Sequence, residues 1–118
     1  MDAAQAIAEL TEISPQIEVA VIFDEQGAVE GSTLEDEERS RELARLGAEL
    51  LDEAGRVRSA EAGGVSQVQA QLRAGSVFLV REGERRIAAT TGAEPTVGLV
   101  FYDLRSCLRS VREENGAS

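Results

Sequence analysis

The chain has 118 residues and a net charge of −10, and its 12 basic residues are all arginine, with no lysine and no histidine. One domain fits that length and can hold a core without a disulfide or metal to staple it. The missing residues exclude a phosphate-binding loop with its lysine, a Schiff-base lysine, and any nucleophile that relies on imidazole as its base.

Further classes fall away on the same ground. With no histidine and the single cysteine Cys107, there is no ligand set for zinc and no internal disulfide, and Cys107 reads as a partly buried spectator thiol. No metal and no cofactor is expected. The acidic balance argues against nucleic acid, because neutralising phosphates takes clustered positive charge. No apolar run approaches the ~20 residues that cross a bilayer, so no membrane insertion is expected. The N-terminus lacks a signal-peptide pattern, and the expected location is cytoplasmic.

Asp2 to Ile13 predicts a short amphipathic helix with Ala3, Ile7, Leu10 and Ile13 on one face, ended by Ser14-Pro15. Ile17 to Asp24 predicts a strand whose centre, Val19 to Phe23, is apolar at every position, as in a strand covered on both faces. Asp24-Glu25-Gln26-Gly27 predicts a hairpin turn, and Ala28 to Gly31 a short return strand whose charge suits a sheet edge. Ser32-Thr33 ahead of Glu35-Asp36-Glu37-Glu38 predicts a helix start, with a hydroxyl cap and carboxylates against the positive end of the dipole. First-turn acids commonly serve that purpose, and no cation-coordinating loop accompanies them.

That helix is expected to run to about Ser59, and it carries three stripes. Leu43, Leu46, Leu50, Ala54 and Val57 read as its core face. Arg45, Glu49, Asp52 and Arg56 lie opposite, with Arg45/Glu49 and Asp52/Arg56 spaced four apart; they are a solvated face or a partner contact. Ala44, Gly47, Ala48, Leu51 and Gly55 form the third stripe. Each helix-interior glycine costs roughly 1 kcal/mol relative to alanine, and small side chains let a second backbone come close. The expectation is a helix-to-helix contact with a second copy about a twofold axis, against the plainer reading that the stripe accommodates a neighbouring loop.

Ala62-Gly63-Gly64 breaks the chain. Val65 to Arg73 then alternates, with Val68, Ala70 and Leu72 on one face and Gln67, Gln69 and Gln71 on the other, so one face is wet or lightly covered. Ser76 to Glu82 and Arg86 to Thr91 predict two more strands, the first apolar throughout Val77 to Val80 and therefore central. Thr96 to Arg112 predicts a closing helix with Val97, Val100, Phe101, Leu104, Leu108 and Val111 at helical spacing. Residues 97–102 alone have the composition of a strand, but the whole segment has helical periodicity. The domain spans 1–113, with 114–118 a flexible tail.

The resulting order, α-β-β-α-β-β-β-α, describes an α/β domain with a five-stranded antiparallel sheet between helices. On Val19-Ala20-Val21-Ile22-Phe23-Asp24-Glu25-Gln26-Gly27, Val65-Ser66-Gln67-Val68, and Val97-Gly98-Leu99-Val100 with Leu104-Arg105, the chain resembles the Roadblock / dynein light chain domain family, including the MglB-like bacterial regulators of small Ras-like GTPases. Many members carry asparagine where this chain has Thr96, which can cap equally. The resemblance implies strand order 2-1-5-4-3, the long helix on one face and the terminal helices on the other. It also implies a homodimer joined through the third strands and long helices. Together with the stripe, this assigns the dimer interface to Ala44, Gly47, Ala48, Leu51, Gly55, Val68, Gln69, Ala70, Gln71 and Leu72, where pairing would also shield a long open edge.

Function follows the resemblance: a non-enzymatic dimeric module that binds a small Ras-like GTPase and alters its nucleotide state. Arg45, Glu49, Asp52 and Arg56 are the candidate partner contacts, and no catalytic residue is assigned. Arg45, Arg56 or Arg58 as an arginine finger is the less favoured role, since exposed arginines ordinarily solvate a surface. The rival readings are a scaffold subunit of a motor or signalling assembly and a small-ligand sensor. An enzyme is least favoured, the Asp24/Glu25 pair sitting in a turn where acids are usually solvated.

Overall fold

Burial on both faces of the central strands organises the fold. The computed structural model describes residues 1–57 and 66–117. Its elements are α1 (Ala3–Ile13), β1 (Ile17–Phe23), β2 (Val29–Ser32), α2 (Glu37–Val57), β3 (Gln67–Gln71), β4 (Ser76–Glu82), β5 (Arg85–Thr91) and α3 (Val97–Ala117). The strands form one antiparallel sheet in the order β2-β1-β5-β4-β3. The expected helix end at Ser59, the Ala62-Gly63-Gly64 break, Arg58, Val65 and Ser118 lie outside the described residues.

Strand side chains alternate between two cores. Ala20, Ile22, Phe78, Val80, Ile87 and Ala89 point to α1 and α3, where they meet Ile7, Leu10, Val100, Leu104 and Leu108. Phe78 packs edge-on against Phe101, with ring centroids 5.0 Å apart. Val21, Phe23, Leu79 and Ala88 point the other way, under α2. The two central hairpins follow from glycine: Gly27 at φ 84° and Gly83 at φ 61° take the left-handed conformation that a side chain would oppose.

Several boundaries move, each for a local reason. Helix α1 starts on a capping box between Asp2 and Gln5, and its apolar face is Ala3, Ala6, Ile7 and Leu10; Ile13, expected in the core, is 57% exposed. Helix α2 starts at Glu37 and not after Ser32-Thr33, because the Asp36 carboxylate accepts from the amides of Glu38 and Arg39 at 3.0 and 3.3 Å. The two hydroxyls expected as caps do other work: Ser32 Oγ accepts from Leu34 N and meets Ser40 Oγ at 2.7 Å, and Thr33 Oγ1 accepts from Ala20 N. In α3, Val97 belongs to the expected apolar face but is exposed. That helix runs on past Arg112 to Ala117 and so takes in 114–117, which the sequence places outside the domain.

The largest correction concerns α2. The small-residue stripe, expected to meet a second copy, lies on this chain's own sheet. Ala44 is fully buried, Leu51 nearly so, and Ala48 packs on the same core. A Cβ built on Gly47 would sit 2.7 Å from Leu79 Cδ2, 3.1 Å from Phe23 Cζ and 3.3 Å from Ala88 Cβ. Phe23 and Leu79 already fill the space between sheet and helix, so the helix can dock only with its smallest residues inward. The stripes lie about 120° apart around the helix at about 100° per residue. The leucine stripe, expected in the core, is therefore turned outward: Leu43 and Leu50 are half-buried and Leu46 is 42% exposed.

Replacing Gly47 with isoleucine should lower stability by roughly 1–3 kcal/mol through overpacking. Gly55 has nothing within 4 Å of its would-be Cβ, so Gly55→Ala should raise stability by up to about 1 kcal/mol. Urea unfolding of the two variants checks both signs.

Candidate functional site

Several polar groups are committed to the fold. Asp24 Oδ1 accepts from the amides of Gln26 and Ala28, both at 2.9 Å, so one half of the Asp24/Glu25 pair closes the β1–β2 turn. Among the described residues no group of three or more His, Cys, Asp or Glu side chains could hold a metal ion. A cavity of about 410 Å³ lies between β2 and the start of α2 and is lined by Val29, Ser32, Leu34, Glu37, Ser40 and Arg41. Its two serine hydroxyls bind each other, and Ser40 Oγ also donates to Asp36 O.

Cys107 is buried on α3, with Sγ 3.5 Å from the Ala6 carbonyl oxygen. Burial, helped by the negative charge of Glu9, pushes its thiol from 9.0 up to about 12. The thiolate is the reactive form, and it is therefore suppressed at neutral pH.

What remains open is a surface. Among the described residues, strand β3 pairs with β4 on one side only and is an edge of the sheet. It carries the expected alternation, with Val68 and Ala70 half-buried and Gln67, Gln69 and Gln71 exposed. Leu72 follows the strand at 58% exposure, its amide donating to Gly75 O across the turn. Val68 packs on the same core as Leu43 and Leu50 of α2. The edge strand and the outward leucines thus border one another, and Leu46 stands exposed beside them.

The predicted interface residues divide accordingly. Val68, Gln69, Ala70, Gln71 and Leu72 lie on or next to this edge, while Ala44, Gly47, Ala48 and Leu51 are under α2 and Gly55 is half-buried. Leu43, Leu46 and Leu50 were assigned to the core by periodicity. The signal that distinguishes the two stripes is volume: bulky Phe23 and Leu79 on the facing strands require small residues opposite. Arg45, Glu49, Asp52 and Arg56 are all exposed, as a partner contact requires. Arg56 pairs with Glu53 at 2.6 Å and not with Asp52. Both side chains of that pair are well solvated, so it contributes little to stability.

No protein-family profile and no curated protein matches the sequence. Solved structures do match. A Roadblock/LC7 domain from Streptomyces avermitilis superposes with a TM-score of 0.85 at 21% identity, covering 97% of this chain and 98% of that one. Myxococcus xanthus MglB superposes at 0.81 and 14% identity over 98% and 88% of the two chains. The chain has the Roadblock fold. The gliding protein MglB from Thermus thermophilus gives 0.75 at 12% identity over 97% and 90%. At such identities the likeness is one of fold, and it agrees with the strand order and helix placement that the sequence resemblance implied. Among the described residues no helix is long and apolar enough to cross a membrane.

At pH 8 the native protein should react with a thiol-disulfide reagent about a thousandfold more slowly than the denatured chain, the factor set by the rise from 9.0 to about 12. Absorbance of the released thiol in buffer and in guanidinium measures it.

Proposed function

We propose that this protein is a non-enzymatic, cytoplasmic regulatory module that pairs with a second copy of itself and binds a small Ras-like GTPase, altering its nucleotide state. The observation that carries the reading is the Roadblock fold, shared with MglB over nearly the whole chain, combined with an open edge strand bordered by outward leucines. Another solved neighbour is described as MglB with tetrameric arrangement, at TM-score 0.74 and 12% identity. A further one is MglC from Myxococcus xanthus, at 0.58 and 18%.

The pairing surface is the β3 edge, Val68 to Leu72, together with Leu43, Leu46 and Leu50 of α2. Strand pairing between copies would satisfy the open backbone groups of β3, and the leucines would leave water at the same time. The charged stripe Arg45, Glu49, Asp52 and Arg56 borders that surface and offers side chains of both signs to a partner. Catalysis, in this reading, belongs to the GTPase. This domain acts by positioning the partner's own groups.

Two experiments test this. Leu46→Glu should convert a dimeric species to monomer in light scattering while circular dichroism shows the chain still folded; an unchanged mass would place the pairing surface elsewhere. Capture of a small GTPase from cells of the source organism, followed by turnover measurements, tests the regulatory part. Addition of the protein should change GTP hydrolysis or nucleotide affinity by about tenfold or more. Capture without any change in either would leave an adaptor, and no capture would reject the GTPase reading.

A further inference from the structure

A second exposed apolar surface lies on the opposite side of the sheet, and the pairing surface does not account for it. Helices α1 and α3 run antiparallel there. The Thr96 amide donates to Gln16 Oε1 at 2.6 Å at one end, and Cys107 Sγ lies 3.5 Å from Ala6 O toward the other. Between them is a shallow groove of about 60 Å³, with Leu10 and Cys107 at its floor and Glu9, Ile13 and Ser106 on its walls. Tyr102 stands one turn before Ser106 on α3, and Leu99 one turn before that. Ile13, Leu99 and Tyr102 are 57%, 49% and 65% exposed. Large apolar side chains concentrated at one place on a small domain mark an interaction site more often than single ones do.

Among the described side chains, the charge that α1 and the groove lining present has one sign. Every charged side chain on α1 and its cap is acidic, namely Asp2, Glu9 and Glu12, and the first basic side chain anywhere in the sequence is Arg39. The arginines of α3 nearest in sequence are turned to the other flank, where Arg105 and Arg109 meet Glu82 at 3.4 and 3.2 Å. An apolar seam between two helices with an acidic rim is complementary to a helix that is apolar on one face and basic on its sides. A second copy would bring the same acidic rim against itself, and an anionic lipid surface would be repelled. We infer that the α1–α3 groove docks a basic amphipathic helix of another protein. The inference does not depend on the GTPase reading, since it uses a different face of the sheet.

The test uses the full chain and a labelled model peptide of about 18 residues, leucine at i, i+3, i+4 and i+7 and lysine elsewhere, beside a shuffled peptide of the same composition. Fluorescence anisotropy should show binding of the periodic peptide about tenfold tighter than the shuffled one. The double variant Leu99→Ser/Tyr102→Ser should remove most of that difference, and Glu9→Gln/Glu12→Gln should weaken binding and flatten its salt dependence. The control Glu38→Gln/Glu42→Gln, on α2 across the sheet, should bind as the parent does. All substituted positions are exposed, and circular dichroism melts verify that each variant is folded. Equal binding of both peptides, or full binding by the Leu99/Tyr102 variant, would overturn the inference. So would a lower sedimentation mass of that variant than of the parent, which would put a second copy on this face. Binding of the parent, but not the variant, to phosphatidylserine vesicles would give the face to a membrane and overturn it likewise.

Discussion

The close approach of α2 to the sheet at Gly47 is the constraint from which the arrangement of the molecule's surfaces follows. With Leu79 Cδ2 2.7 Å and Phe23 Cζ 3.1 Å from where a Cβ would stand, no larger residue fits without moving the layer. The helix is held against two large side chains by its absence of side chain. Once that contact sets the rotation of α2, every other residue on it is assigned: Ala44 and Leu51 inward, the leucines toward the β3 edge, and the charged stripe to solvent. A rotation of about 120° would exchange core and surface, and the volume of Phe23 and Leu79 opposes it.

A different economy governs polar groups. Asp36 caps α2, Asp24 closes the first hairpin, and the Ser32–Ser40 pair ties β2 to the helix it precedes. Each of these side chains is polar because a backbone or hydroxyl partner beside it would otherwise go unmatched. In a chain without lysine or histidine, these short acids and serines are put to structural use.

Much of this was legible in the sequence. Doubly apolar strands such as Val19 to Phe23 and Val77 to Val80 call for cover on both faces, and the alternation of Gln67 to Gln71 marks a lightly covered edge; those patterns needed no tertiary knowledge. Positions where two local signals compete were not legible. Two apolar stripes on one helix satisfy periodicity equally, and hydropathy prefers leucine inside, whereas packing against an already filled sheet prefers alanine and glycine. Ser32-Thr33 and Asp36 are all good caps, and only the path of the chain out of β2 decides which one faces the free amides. Ile13 and Val97 obey helical spacing, yet they stand at helix ends where neighbouring elements no longer cover them.

The sheet's two edges are not equivalent. Strand β2 has only Val29–Ser32, its register against β1 shifts between Ile22 and Phe23, and Glu30 is tied to Arg85 at 3.0 Å. A short, bulged and charged edge resists further strand addition, while β3 presents a regular ladder with no such irregularity in its register to β4. A chain with one receptive edge can take one strand-paired neighbour in a twofold arrangement and then has none left to offer. In the proposed pairing, growth by edge addition would close at two members, with the irregularity of β2 acting as a terminator against filaments.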